Sequence, residues 1–209
     1  MTPKLRFSLG QGLKLSLGAA CLVGALIVCR LLIGPGAPLA SFLGVAVSSI
    51  LRRAAIFAAL VFSYWAFVRF YERRAAVELA PRWKWILAAA AAGAASIGLT
   101  ILFLYATGHY QPVAFHGFAG VPGMLVVIAI AATLEELAFR ALLFRILEET
   151  AGTTAALTTS ALAFCVAHLT NHGVHAITLL TITLAGLMWA GIFIVWRNVW
   201  VAAAHHGCW

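Results

Sequence analysis

Apolar residues fill this chain in long blocks, separated by short polar, basic or Gly/Pro stretches. The blocks are Leu13–Ile33, Ala54–Phe70, Trp83–Thr107, Gly123–Leu147, Thr154–Leu169, Ala176–Trp196 and Val199 onward. A helix needs about 20 residues to cross a bilayer, and most of the blocks approach that length. The pattern predicts an all-α, polytopic transmembrane helical bundle with about seven spans. All six prolines fall in loops or at span edges, so no span is forced to kink. No linker, repeat or low-complexity tail divides the chain. It reads as a single transmembrane domain, 1–209, whose in-span polar residues of interest fall over about 123–209.

Composition agrees with the pattern. The 209 residues are 64% hydrophobic and only 10% charged, with a mean hydropathy of +1.01. A soluble surface needs roughly a quarter charged residues. The expected location is a cell membrane, crossed several times, such as the inner membrane of a bacterium, with membrane lipid as the surrounding partner. The net charge of +8 does not imply nucleic acid, because the basic residues flank apolar blocks, where they set topology. Lys4, Arg6 and Lys14 before Leu15–Ile33 resemble a signal peptide. The length of the run, Arg30 near its end and the loop-like Gly34–Pro38 instead indicate a retained first span. Cys21, Cys29, Cys165 and Cys208 lack metal or redox spacing and read as buried thiols.

The cations sort by side. With the N terminus cytoplasmic, Lys4, Arg6, Lys14, Arg69, Arg73, Arg74, Arg82, Lys84, Arg145 and Arg197 lie inside. Only Arg52 and Arg53, with Arg30 near the end of its span, fall on the other side. The block Leu39–Ile50 before that misfit pair is read as a re-entrant or interfacial segment. The stretch 69–84, RFYERRAAVELAPRWK, reads as a cytoplasmic loop with an aromatic belt and snorkelling arginines.

One apolar block breaks its own rule. AATLEELAFRALLFRILEE puts Glu135, Glu136 and Arg140 inside a helical span, in a chain with no Asp and six Glu. Each such charge costs roughly 2.5–3.5 kcal/mol at mid-membrane when alone. Glu136 and Arg140 are four apart, Glu first, so they share a helix face and offset each other. Glu135 is rotated about 100° from Glu136 and stays available. A carboxylate stripped of water is a competent base near neutral pH. A structural salt bridge accounts for Glu136 and Arg140 but leaves Glu135 without a use.

Two histidines join it by depth. At about 1.5 Å rise per residue, Glu135 lies about 18 Å from the cytoplasmic end of its span, His168 about 21 Å and His206 about 12 Å. With boundaries uncertain by several residues, one level can hold all three. His109, His116, His172 and His175 sit in outer turns and are background. A carboxylate with two imidazoles can deprotonate a water and stabilise an oxyanion. Alternatively, Glu135, His168 and His206 can bind zinc with a water as fourth ligand. Both routes are open on the sequence alone, and both give hydrolysis.

These residues resemble a known family, the CPBP intramembrane proteases related to CAAX prenyl endopeptidases and to bacteriocin-processing or immunity proteins. EELAFR matches its Glu-Glu-x-x-x-Arg motif, FCVAH its Phe-x-x-x-His motif, and RNVWVAAAHHGCW its last motif, in which a Trp precedes a His by six. That spacing selects His206 over His205. The resemblance implies an intramembrane endopeptidase acting on a membrane-associated, lipidated or unlipidated, peptide or protein. It implies Glu135 as base, Glu136 and Arg140 as its structural partners, His168 activating the water, and His206 at the oxyanion or a metal. In the family an Asn follows the last His by four positions, whereas this sequence reads three residues past His206. A truncated chain or a missing Asn is therefore expected, with His205 as the substitute ligand. Two rivals are a non-catalytic membrane scaffold or immunity protein and a proton-coupled carrier. The repeated halves and broken helices of many carriers are not visible.

The sorting of cations predicts topology. Reporter fusions after Ala80 and Gly152 should report a cytoplasmic location, and fusions after His116 and His172 an external one. An external signal at Ala80 would overturn the assignment of sides.

Overall fold

The second apolar stretch contains neither Gly nor Pro from Val45 to Ala66, and it forms one unbroken helix over those residues. The computed structural model describes residues 9–34, 36–37, 45–114 and 117–209, with side chains in the second helix described from residue 49. Lys4, Arg6, His116 and the 39–44 part of the expected re-entrant segment lie outside the described residues. The remainder of that segment, 45–50, is the first part of the second helix rather than an element of its own.

Every regular element among the described residues is helical. α1 is Leu9–Ile33 and α2 is Val45–Ala66, prolonged by a π-helical turn, Phe67–Tyr71. A 3₁₀ turn, Val77–Leu79, precedes α3, Trp83–Ala106. α4, Val121–Glu136, passes into a π-helical stretch, Leu137–Phe144, and then into α5, Arg145–Ala167. α6 is Ala176–Trp196 and α7 is Val199–Cys208.

Five helical runs are long and apolar enough to cross a membrane: Leu9–Ile33, Ser49–Tyr71, Trp83–Ala106, Val121–Ala167 and Ala176–Trp196. The chain thus has the build of a multi-pass membrane protein. The run Val121–Ala167, 47 residues long, holds two of the expected spans, Gly123–Leu147 and Thr154–Leu169, and is interrupted only at Gly152. Gly152 takes φ 81° and ψ 167°, a conformation that glycine adopts at little steric cost. His168, sixteen residues after Gly152, lies beside Glu135, seventeen before it, so the chain doubles back there. The last helix, Val199–Cys208, runs to the penultimate residue of the sequence.

The cations expected inside gather at one end of the bundle. Lys14 pairs with Glu149 at 3.3 Å, Arg145 with Glu72 at 2.8 Å, and Arg197 with Glu148. Arg74 bridges Glu72 and Glu78, and the buried Tyr64 hydroxyl donates to Glu78. Burial pushes the Glu78 carboxyl up, but the hydrogen bonds from Arg74 and Tyr64 outweigh it and hold it below its ordinary value. This network folds the 72–82 loop against the bundle.

The same loop holds α7. Trp200 Nε1 donates to the Leu79 carbonyl at 2.7 Å, and Asn198 Nδ2 to the Ala80 carbonyl at 2.7 Å. Arg82 donates to the Trp196 carbonyl at 3.1 Å. Asn198 also caps α7, its Oδ1 accepting from Val201 N at 3.2 Å. Only Arg197, with φ 47°, and Asn198 separate α6 from α7.

Helices meet through small residues, as membrane helices commonly do. α7 packs most heavily on α3 and then on α4. Gly93 is the sole buried residue of α3. The rest of α3 presents Leu87, Leu99, Leu102 and Phe103 outward, as a lipid-facing helix does. A Cβ on Gly93 would stand 2.3 Å from the His205 carbonyl oxygen, a backbone atom that cannot swing aside. Gly93→Ala should therefore push α7 outward, lowering stability by about 1–3 kcal/mol. It should also reduce any activity that depends on His206. Thermal unfolding in detergent together with a turnover assay checks both, and an unaffected protein would contradict this packing.

Candidate active site

Glu135 and Glu136 end α4, where the backbone changes from α to π spacing. π stretches occur often at functional sites. Here one frees the Ala141 carbonyl to accept from Arg145 Nε at 2.8 Å and from the Tyr64 hydroxyl at 3.3 Å. The network at the bundle end is thereby tied to the helix that bears the acids.

The two carboxylates differ as the sequence predicted. Glu136 is 0% exposed, whereas 26% of the Glu135 side chain is open. Arg140 Nη1 lies 3.2 Å from Glu136 Oε1, but is not aligned for a hydrogen bond. Its aligned bond runs from Nη2 to the Gly186 carbonyl at 2.9 Å. The guanidinium also lies over Phe164 at 4.9 Å and Trp189 at 5.7 Å from the ring centroids. The arginine is thus held by a charge, a carbonyl and two aromatic faces.

Glu136 Oε1 takes its hydrogen bond from His206 instead, with Nδ1 at 2.9 Å. A carboxylate oxygen accepts, so Nδ1 carries the proton and Nε2 turns the other way. Nε2 lies 3.6 Å from Glu135 Oε2. His168 repeats the arrangement. Its Nδ1 donates to the Phe164 carbonyl at 2.7 Å, and its Nε2 lies 3.9 Å from the same Glu135 oxygen. All five residues singled out from the sequence, Glu135, Glu136, Arg140, His168 and His206, therefore meet in one cluster. His205 does not reach Glu135. It is buried, and its Nδ1 accepts from Trp189 Nε1 at 3.2 Å. His175 caps α6 and His109 bonds Thr107, both away from the cluster.

The sequence reading missed Trp189. Its ring stacks on His206, with centroids 3.5 Å apart and planes 18° from parallel, while its N–H holds His205. Phe164 meets it edge-on at 5.7 Å and Phe139 meets Phe164 at 5.1 Å. One signal was available: an indole N–H deep in an apolar span needs a partner. Its block carries no charged residue and none of the motifs, which hid it.

Zinc accepts one carboxylate and two imidazoles, but both rings stand wider from Glu135 than bound ligands do. Tetrahedral ligands at 2.0–2.1 Å stand roughly 3.3 Å apart, and both Glu135–His separations are longer. Among the described residues no group of three or more His, Cys, Asp or Glu side chains is arranged to hold a metal ion. The separations are also too long for good direct hydrogen bonds, and a water seated to one side can contact the carboxylate and a ring together.

Residues 118–209 match the family model described as Rce1-like, type II CAAX prenyl endopeptidase. The match covers less than half of the chain. No curated protein and no solved structure matches the chain. The Rce1-like segment covers α4 to α7 and contains every residue of the cluster. The loop that holds α7 and the Gly93 contact come from outside it.

The stacking on His206 gives a test. Trp189→Phe keeps an aromatic face and should lose little, whereas Trp189→Leu should lower kcat by up to about tenfold with KM nearly unchanged. Equal activity of the Leu and Phe variants would show that the stack does not orient His206.

Proposed function

We propose that the chain is an intramembrane endopeptidase that hydrolyses a peptide bond by a metal-free Glu/His mechanism. The observation that carries it is the convergence of two imidazole Nε2 atoms on the one partly open carboxylate, Glu135. The family supports a CAAX-protease-like hydrolase at its own level of detail.

Glu135 Oε2 takes a proton from a water lying between it and the imidazoles. The hydroxide attacks the scissile carbonyl carbon. His206, with Nδ1–H on the buried Glu136, presents Nε2 to the oxyanion and donates to it when the ring is protonated. His168 is locked by the Phe164 carbonyl and orients the water. The tetrahedral intermediate collapses, the C–N bond breaks, and the amine leaves with the proton that Glu135 had taken. Arg140 touches no substrate, and holds Glu136 in place. The substrate is a peptide or membrane-associated protein presented within the bilayer. The family's name makes a prenylated peptide the first one to assay. The clustering of cations at one bundle end supports a cytoplasmic N terminus in a cell membrane.

Glu135→Gln should fold normally and lose at least about a hundredfold in turnover of a peptide in liposomes. Glu136→Gln should chiefly lose yield and stability, because removing one partner of a buried pair costs about 3–5 kcal/mol. His168→Ala and His206→Ala should each cost most of the rate, and together little more, as residues acting as a unit do. Full activity in chelator accompanies this reading. Stoichiometric zinc that disappears in both histidine variants would replace it with a metal mechanism, and near wild-type turnover by Glu135→Gln would remove the base.

A further inference from the structure

The three basic residues on the face opposite the ion-pair network are Arg30, Arg52 and Arg53. Cys29 Sγ lies 3.7 Å from the Ala55 carbonyl, so α1 and α2 pack with these residues side by side. At about 1.5 Å per residue, all three arginines lie within about 5 Å of that level. Nothing inside the protein neutralises them. The chain has six acidic residues, all glutamate. Glu72 and Glu78 are engaged by Arg74, with Arg145 also on Glu72. Glu148 holds Arg197, and Glu149 holds Lys14 and Arg145. Glu136 faces Arg140 and His206, and Glu135 the two histidines. No side-chain carboxylate is left for Arg52 or Arg53, and neither forms an ion pair among the described residues. Their anion must come from outside.

The surroundings of Arg53 select the anion. One Nη1 atom lies 3.5 Å from where a Cβ of Gly123 would stand, which places the guanidinium over the start of α4. From there an apolar crevice of about 370 Å³ runs between α2 and α4, lined by Ala54, Phe57, Val126 and Ala129. Phe57 and Ala129 also line a second apolar cavity, of about 660 Å³. That cavity continues along α4 and α7 past Leu125, Ala203 and Gly207. Phe57 is one turn, about 6 Å, deeper than Arg53, and half a bilayer is about 15 Å. A cation at the mouth with an apolar path of that depth beneath it matches one amphiphile.

We propose that Arg53, with Arg52 and Arg30 beside it, binds the headgroup of an anionic phospholipid whose acyl chain lies in the crevice between α2 and α4. The chain passes Phe57 and ends in the larger cavity. It packs there on the face of α7 formed by Ala203, Ala204 and Gly207. The site stands apart from the peptidase reaction and uses none of its residues. It also accounts for an arginine pair placed against the general sorting of charge, since a bound anion neutralises it where it lies.

The test is native mass spectrometry of the full chain in neutral detergent, with phosphatidylglycerol or phosphatidylcholine of identical acyl chains added in turn. The wild type should retain one phosphatidylglycerol in preference to phosphatidylcholine. Each of Arg53→Gln and Arg52→Gln should weaken retention about fivefold, and Arg53→Lys should keep most of it. Val126→Trp leaves every charge in place and fills the crevice at a partly exposed position, so folding is spared. It should weaken both lipids. Unfolding temperatures measured without lipid should stay within a few degrees of wild type, and added phosphatidylglycerol should raise the wild-type value alone. Equal retention of the two lipids, or undiminished binding by Arg53→Gln, overturns the headgroup site. Undiminished binding by Val126→Trp overturns the acyl-chain path. Displacement by millimolar inorganic phosphate would show a free-anion site in place of a lipid site.

Discussion

The structure turns on seating the Glu136–Arg140 pair in a place without water. Neither group has a solvent route, and their mutual approach at 3.2 Å is not enough by itself, because it lacks hydrogen-bond alignment. Everything packed around the pair supplies what the approach lacks. Gly186 offers a carbonyl, Phe164 and Trp189 offer ring faces, and His206 brings an N–H to the carboxylate. Three elements beyond α4 and its π stretch, namely α5, α6 and α7, therefore owe their relative placement to one ion pair. The open acid, Glu135, stands beside this knot and is spared the cost of a fixed partner.

Rigidity in the cluster comes from a second layer of contacts. The π stretch after Glu136 gives the Ala141 carbonyl two donors, and one of them, Arg145, is clamped by Glu72. Glu72 and Glu78 bind the same Arg74, and the loop carrying them offers its Leu79 and Ala80 carbonyls to α7. A continuous path of polar contacts thus joins the helix bearing the acids to the helix bearing His206, around the bundle end rather than through its core.

Much of this was legible in the sequence because charge is rare in it. Glu135, Glu136 and Arg140 stood out against apolar neighbours, and the four-residue spacing gave their pairing. The depth estimate brought His168 and His206 to the same level, and the structure places them around one carboxylate oxygen. What stayed hidden was whatever has no periodic signature. Trp189 was invisible because stacking leaves no trace in spacing. The share of Glu136 between Arg140 and His206 joins residues 70 positions apart, which no local pattern carries.

The anchoring of α7 has a bearing on how the protein is made. The seat of α7 consists of carbonyls at Leu79 and Ala80 and a gap on α3 at Gly93. Those groups leave the ribosome more than a hundred residues before α7 does. Until the last helix arrives, Glu136 has no imidazole and Glu135 only one. The arrangement of two imidazoles around one carboxylate thus comes into being only when the last helix docks.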